Sequence, residues 1–201
     1  VGVIVEKGDE LGPGDEAGEP HPGDDRPQPP LGVGERHRHD QGADAATIRD
    51  AGIGGMLHDI GKVRIAHSVL HKPGRLTEKE LATMKTHVAH SQRILAATPG
   101  IPALAMDVAA QHHERHDGSG YPGGLAGDAI APIGQMAAIC DVYDAITSDR
   151  VYHRGLEPTE ALRKIFEWSK FHFNPQLTQS FLRCIGIYPV GALVLLESGR
   201  L

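Results

Sequence analysis

Apolar positions recur at helical intervals from Asp44 onward and hardly at all before it. Asp44 is an N-cap residue type, and Ile48, Ala51, Gly55, Met56 and Asp59 follow at helical spacing. Gly52, Gly54 and Gly55 weaken that helix and are read as close approach of a neighbouring one; a loop ending in a short helix is the alternative. Pro73-Gly74 is a turn, and Thr77 with Glu80 makes a capping box before a helix whose face carries Leu81, Met84, Val88, Ser91 and Ile94/Leu95. Pro99-Gly100 stops it. Pro102 opens a helix running through Leu104 and Val108 to His112-His113, Pro132 one through Met136, Cys140 and Ala145, and Pro158 one with Leu162, Ile165, Phe166 and Trp168. A last helix lies around Leu177–Ile185, and the apolar run ending at Leu196 suits a short strand. GSGYPGGLAG at 118–127 is a turn-rich loop. The pattern predicts an all-α helical bundle with one conspicuous loop.

The first forty residues lack either period and hold eight Gly and six Pro. Such a segment buries too little apolar surface to offset chain entropy, so 8–40 is expected to be disordered. The division predicted is 1–42, irregular and acidic, and 43–201, a folded domain. Val1–Val5 reads as an edge strand or the stump of a preceding element. Residues 1–40 carry ten acids and four bases, a net of −6 equal to that of the whole chain, so the remainder sums to zero. No basic field exists to hold a nucleic-acid backbone. No run nears the roughly 18 apolar residues of a membrane span. The two cysteines, Cys140 and Cys184, lack a CxxC spacing and read as core thiols of a reducing, cytoplasmic compartment.

Thirteen histidines are the compositional outlier. His58-Asp59 closes one predicted helix, His87 lies in a second, His112-His113 end a third and Asp141 sits in a fourth. Bundles build metal sites this way, from ligands on facing helices. His and carboxylate without thiolate favour Fe, Mn, Co, Ni or Zn. A carboxylate bridges two ions where one ring nitrogen does not, which makes Asp59 the natural bridge. Core hydrogen bonding of the histidines, and pairing of Asp141 with Arg150, are the plainer alternatives. His67, His71, His90 and His116 carry no metal-site pattern.

MLHDIGKVRIAHSVLHKPGRLTEKELATMKTH at 56–87, HHERHDGSGYPGGLAGDAI at 112–130 and DVYDAITSDRVYHRG at 141–155 together resemble the HD-GYP branch of the HD phosphohydrolase superfamily. The resemblance implies an HD-type bundle that uses two or more divalent transition-metal ions, Fe or Mn foremost, to hydrolyse cyclic di-GMP to pGpG or GMP. It implies His58, Asp59, His87, His112, His113 and Asp141 as ligands. Lys62, Arg150 and His153 become phosphate contacts; the family commonly has Lys or Arg at the last of these, with Arg154 next door. Lys62 is otherwise a surface lysine. Tyr121 either presents its hydroxyl to substrate or anchors the loop. Glu114 orients a ligand histidine or an arginine, or is a helix-end charge, and Arg115 and Asp117 brace the loop. Partner signalling domains are expected to dock through the GYP loop.

Family members carry a further ligand-bearing helix upstream of the HD pair, where this chain has Gly/Pro-rich text, read as a frame shift or a degenerate helix. His21, His37 and His39 sit in no periodic helix. The expectation is a phosphodiesterase of reduced activity, with a catalytically weak signalling module as the alternative and a general HD-type phosphohydrolase as a third reading.

Overall fold

A computed structural model describes residues 43–149 and 154–186. Expectations that fall on the Val1–Val5 run, the segment 1–42, His21, His37, His39, Arg150, His153 and the C-terminal strand lie outside those residues.

Eight α-helices occur among the described residues: α1 (Ala45–Leu57), α2 (His67–Leu70), α3 (Glu78–Lys85), α4 (His87–Ala96), α5 (Ala103–Gln111), α6 (Pro132–Thr147), α7 (Pro158–Trp168) and α8 (Pro175–Ile185). A tight 3-10 turn spans Ile60–Arg64. There is no strand among the described residues, only an isolated bridge between Asp117 and Ala126 across the base of the GYP loop. No helix there is long and apolar enough to cross a membrane.

The capping signals work as written. Thr77 Oγ1 accepts from the Glu80 amide, and the Glu80 carboxylate accepts from the Thr77 amide. Asn174 caps α8 through the amides of Gln176 and Leu177, and prolines open α6, α7 and α8. The helix predicted from Thr77 to Pro99 is instead two. α3 ends at Lys85, Thr86 Oγ1 bonds back to the Thr83 carbonyl, and α4 starts at His87. That hydroxyl competes with the backbone ladder at the junction.

Two packed regions result. α5 lies against α1, α4 and α6, with Val88, Leu95, Ala105, Val108 and Ala109 buried. Of the three α1 glycines, only Gly54 meets a neighbour closely, at Val108 and Ala105 of α5; Gly52 and Gly55 face open space. The close-approach reading therefore holds for one of them. The second region joins α6, α7 and α8 through Ala138, Ile139, Ile146, Ala161, Ile165 and Phe173. Of the apolar residues in α7, Phe166 is 59% exposed. Cys140 and Cys184 are both exposed and free, which corrects the core-thiol reading: each falls on the solvent side of its helix.

Candidate metal centre

The site forms where α1 ends. Asp59 precedes the 3-10 turn, and Gly61 lets that turn rest on α4, since a Cβ there would collide with the His87 carbonyl and the Ser91 amide. Ser91, fully buried, accepts from the Gly61 amide (2.9 Å) and donates to the His58 carbonyl (2.6 Å). Residues 58–62 are thus pinned to the helix that carries His87. His112 and His113 follow the last turn of α5, and Asp141 comes from α6.

These residues converge in two groups, Asp59–His87–His112–His113 and His58–His112–Asp141, each with ligand atoms within 4.8 Å of one another. Asp59 Oδ1 stands 3.3 Å from His87 Nε2 and 3.9 Å from His112 Nε2, while Oδ2 stands 3.3 Å from His58 Nε2. His58 Nε2 is also 3.7 Å from Asp141 Oδ1. Atoms that share one ion at about 2.1 Å stand roughly 3–3.5 Å apart, so the spacing suits ligands around ions. The six ligand candidates read from the sequence all fall in these groups.

The fit is tested by the atoms left without partners. His58, His87 and His112 donate Nδ1–H to the carbonyls of Gly55 (2.6 Å), Met84 (2.7 Å) and Val108 (3.1 Å). A carbonyl only accepts, so in the neutral rings the proton is on Nδ1 and the Nε2 lone pair faces inward. Those three Nε2 atoms and Asp59 Oδ1 are buried and make no hydrogen bond. Burying such groups unpaired is costly, and a cation would satisfy all four.

Burial opposes a charged His58, but the nearby carboxylates of Asp141 and Asp59 outweigh it and push its pKa up to about 10 in the metal-free protein. Burial likewise opposes an ionised Asp59, yet His58, His87 and Lys62 hold it well below the usual carboxylate range. Burial, then the charge of His58, push His112 down to about 4; burial and His112 keep His113 well below its ordinary value. Without an ion the pocket favours a proton on His58 and keeps His112 and His113 neutral, so an ion held by His58 Nε2 would displace that proton.

Lys62 is buried, with its ammonium on Asp59 Oδ2. The structure therefore places it inside the centre. The Glu114 carboxylate accepts from the amides of Gly123 (2.6 Å) and Leu125 (2.9 Å), bracing the GYP loop from below. Gly120 lets the loop lie flat on Glu114 and Arg115, where a Cβ would strike backbone. Asp117 accepts from Ser119 within the loop, with the Arg115 charge acting on it as well, and Arg115 contacts His172 (3.4 Å). Tyr121 stacks on His113 with centroids 4.6 Å apart, its amide donating to the His113 carbonyl (3.1 Å). His67, His71, His90 and His116 lie outside both groups.

The model of the HD domain family matches residues 30–177. The chain belongs to the HD domain family. His58-Asp59 is its HD pair, and Gly120-Tyr121-Pro122 places it in the HD-GYP branch. This HD domain is 50% identical over 154 residues to a cyclic di-GMP phosphodiesterase of Pseudomonas aeruginosa, covering 77% of this chain and 37% of that protein. It is 40% identical over 129 residues to a cyclic di-GMP phosphodiesterase response regulator of Xanthomonas campestris (63% and 34%). It is also 40% identical over 127 residues to a 3'3'-cGAMP-specific phosphodiesterase of Vibrio cholerae (63% and 24%). The chain thus spans about a quarter to somewhat over a third of these relatives.

Two residues of the HD domain site escaped sequence reasoning about function. Ser91 reads as one more small residue on an apolar face, and only the packing shows that it ties His58 to α4. Lys85 is singled out by nothing in the sequence; its ammonium lies over the Tyr121 ring, 4.9 Å from the centroid. No local signal marks either.

Proposed function

We propose that this HD domain hydrolyses the phosphodiester bonds of cyclic di-GMP, yielding pGpG and onward GMP, with two divalent transition-metal ions, Fe or Mn foremost. The observation that carries the reading is the set of buried Nε2 and Oδ1 atoms left without hydrogen bonds at the meeting point of two ligand groups. Ions bound there would lower the pKa of a water and take up charge from the phosphate. Asp59 would bridge the ions, with His87, His112 and His113 holding one and His58, Asp141 and His112 standing around the other.

In the reaction a water oxygen bonds to phosphorus as the water gives up a proton, the P–O3′ bond breaks, and O3′ leaves as a hydroxyl on taking up a proton. Charge gathers on the phosphate oxygens, and Lys62, whose ammonium sits at Asp59, is a cation placed to meet it. Arg150 and His153 are assigned as further phosphate contacts from the resemblance. Tyr121 serves the substrate side by holding the loop at the mouth of the centre, and the same loop is the docking surface for signalling domains. The setting is the cytoplasm.

A second reading, a module that binds the dinucleotide and turns it over slowly, draws on the openness of one flank: the side chains of His58 and Asp59 are 21% and 23% exposed, against 1% for His87 and His112. The test is to incubate purified, metal-loaded protein with cyclic di-GMP and, separately, 3'3'-cGAMP, and to follow linear products by chromatography. Faster release from cyclic di-GMP is expected. Faster release from 3'3'-cGAMP would overturn the substrate assignment, and binding without product would leave the slow-module reading standing in its place.

A further inference from the structure

The rings around this centre are not all held in the same way. His58, His87 and His112 are each aimed by a hydrogen bond from Nδ1–H to a carbonyl. His113 makes no side-chain hydrogen bond of that kind among the described residues, although it belongs to the first ligand group. Its ring is bounded by other rings: His112 tilted at 4.1 Å, His87 edge-on at 5.1 Å, and Tyr121 stacked at 4.6 Å with 27° between the planes. Of these, Tyr121 alone comes from outside the ligand set.

Tyr121 is itself held through both its backbone and its ring. Its amide donates to the His113 carbonyl, which ties the two residues through the backbone. Its ring lies under the Lys85 ammonium, 4.9 Å from the centroid, within the range at which a cation is drawn to an aromatic face. Lys85 is the last residue of α3, and His87, a ligand candidate, is the first of α4, so Thr86 alone separates them along the chain.

The geometry points to Lys85 and Tyr121 as a pair of positioning residues that set the His113 ring for an ion: the ammonium holds the phenol, and the phenol replaces the Nδ1 hydrogen bond that the other three histidines have. This rests on the metal-centre reading above, and it assigns Lys85 no contact with the substrate. The ring of Tyr121 is what matters for His113, so Phe should serve in this respect where Leu does not; a second cation, Arg, should serve for Lys85 where Met does not.

Two measurements test it. In metal-free protein, the imidazole signals of His113 in aromatic carbon–proton NMR carry the ring current of the stacked phenol. They are expected to move in Y121L, to move in the same direction or broaden in K85M, and to stay near the wild-type positions in Y121F and K85R. In titrations with Mn2+ or Zn2+, K85M and Y121L are each expected to lose roughly tenfold in affinity, at the lower end of what lost outer contacts of metal ligands cost. The double variant should lose little more than either alone, because both act through one ring. His113 signals and metal affinity unchanged in K85M would overturn the proposal, as would K85R behaving like K85M, or additive losses in the double variant. The metal-free spectra decide the Lys85–Tyr121 link on their own; a wild-type protein that takes up no metal would count against the centre and not against that link.

Discussion

Asp59 belongs to the first ligand group and its second oxygen faces His58 of the other. Replacing it with Ala removes the only carboxylate of the first group and leaves His87 Nε2 without a carboxylate opposite. D59A is expected to retain a small fraction of the wild-type metal after dialysis, as read by elemental analysis. Lys62 differs in kind. Its ammonium contacts Asp59 but donates no ligand atom, so K62A should keep its metal while hydrolysis falls about tenfold to a hundredfold, the equivalent of roughly 1.5–3 kcal/mol for a charge-assisted contact. Steady-state rates alongside metal content separate the two; loss of metal in K62A would contradict its role. The ligand residues were legible in the sequence because metal chemistry restricts residue type and bundles bring helix ends together. Glu114 and Lys85 were less so, because what a carboxylate or an ammonium does depends on which loop folds back over it, and nothing within the HHE run or MKTH specifies that.

Among the elements, the junction of the 3-10 turn with α4 matters most to the site. Ser91 bridges the Gly61 amide and the His58 carbonyl in a fully buried position. S91A leaves both backbone groups unpaired and should cost about 1–3 kcal/mol in denaturant unfolding, with a parallel loss of metal affinity because His58 shifts. An unchanged midpoint would show that the bridge is dispensable. The start of α3 gives a pH signature. A hydrogen bond from Lys72 (2.5 Å) and then those from Thr77 hold the Glu80 carboxyl down to about 2 from its ordinary 4.5. A carboxyl lowered on folding stabilises the fold fully above pH 4.5, and that contribution fades as pH falls toward 2. Melting temperature followed from pH 5 to 2 should therefore drop less steeply in E80Q than in the wild type. Element identities followed from the sequence wherever a cap or proline marked a start. The break at Thr86 did not, because the apolar face continues unbroken across it from Met84 to Val88 and Ser91.

On the scale of the molecule, α4 and the end of α5 supply the most buried ligands, His87 and His112, while α1 leaves Ile48 62% and Met56 85% exposed. These two lie eight residues apart on one helical face. Grafting a family-type amphipathic helix in place of residues 8–42 is expected to cover that face and to raise turnover more than cyclic di-GMP binding. Equal turnover by both chains would show the upstream helix to be unnecessary. All of this rests on the buried histidine and aspartate atoms being there to hold ions. Elemental analysis of the purified wild-type chain, reconstituted with Fe, Mn, Co, Ni or Zn and dialysed, tests that most directly. At least one tightly held ion per chain, falling sharply in D59A, is the predicted result; a wild-type chain that retains none of the five would contradict the account.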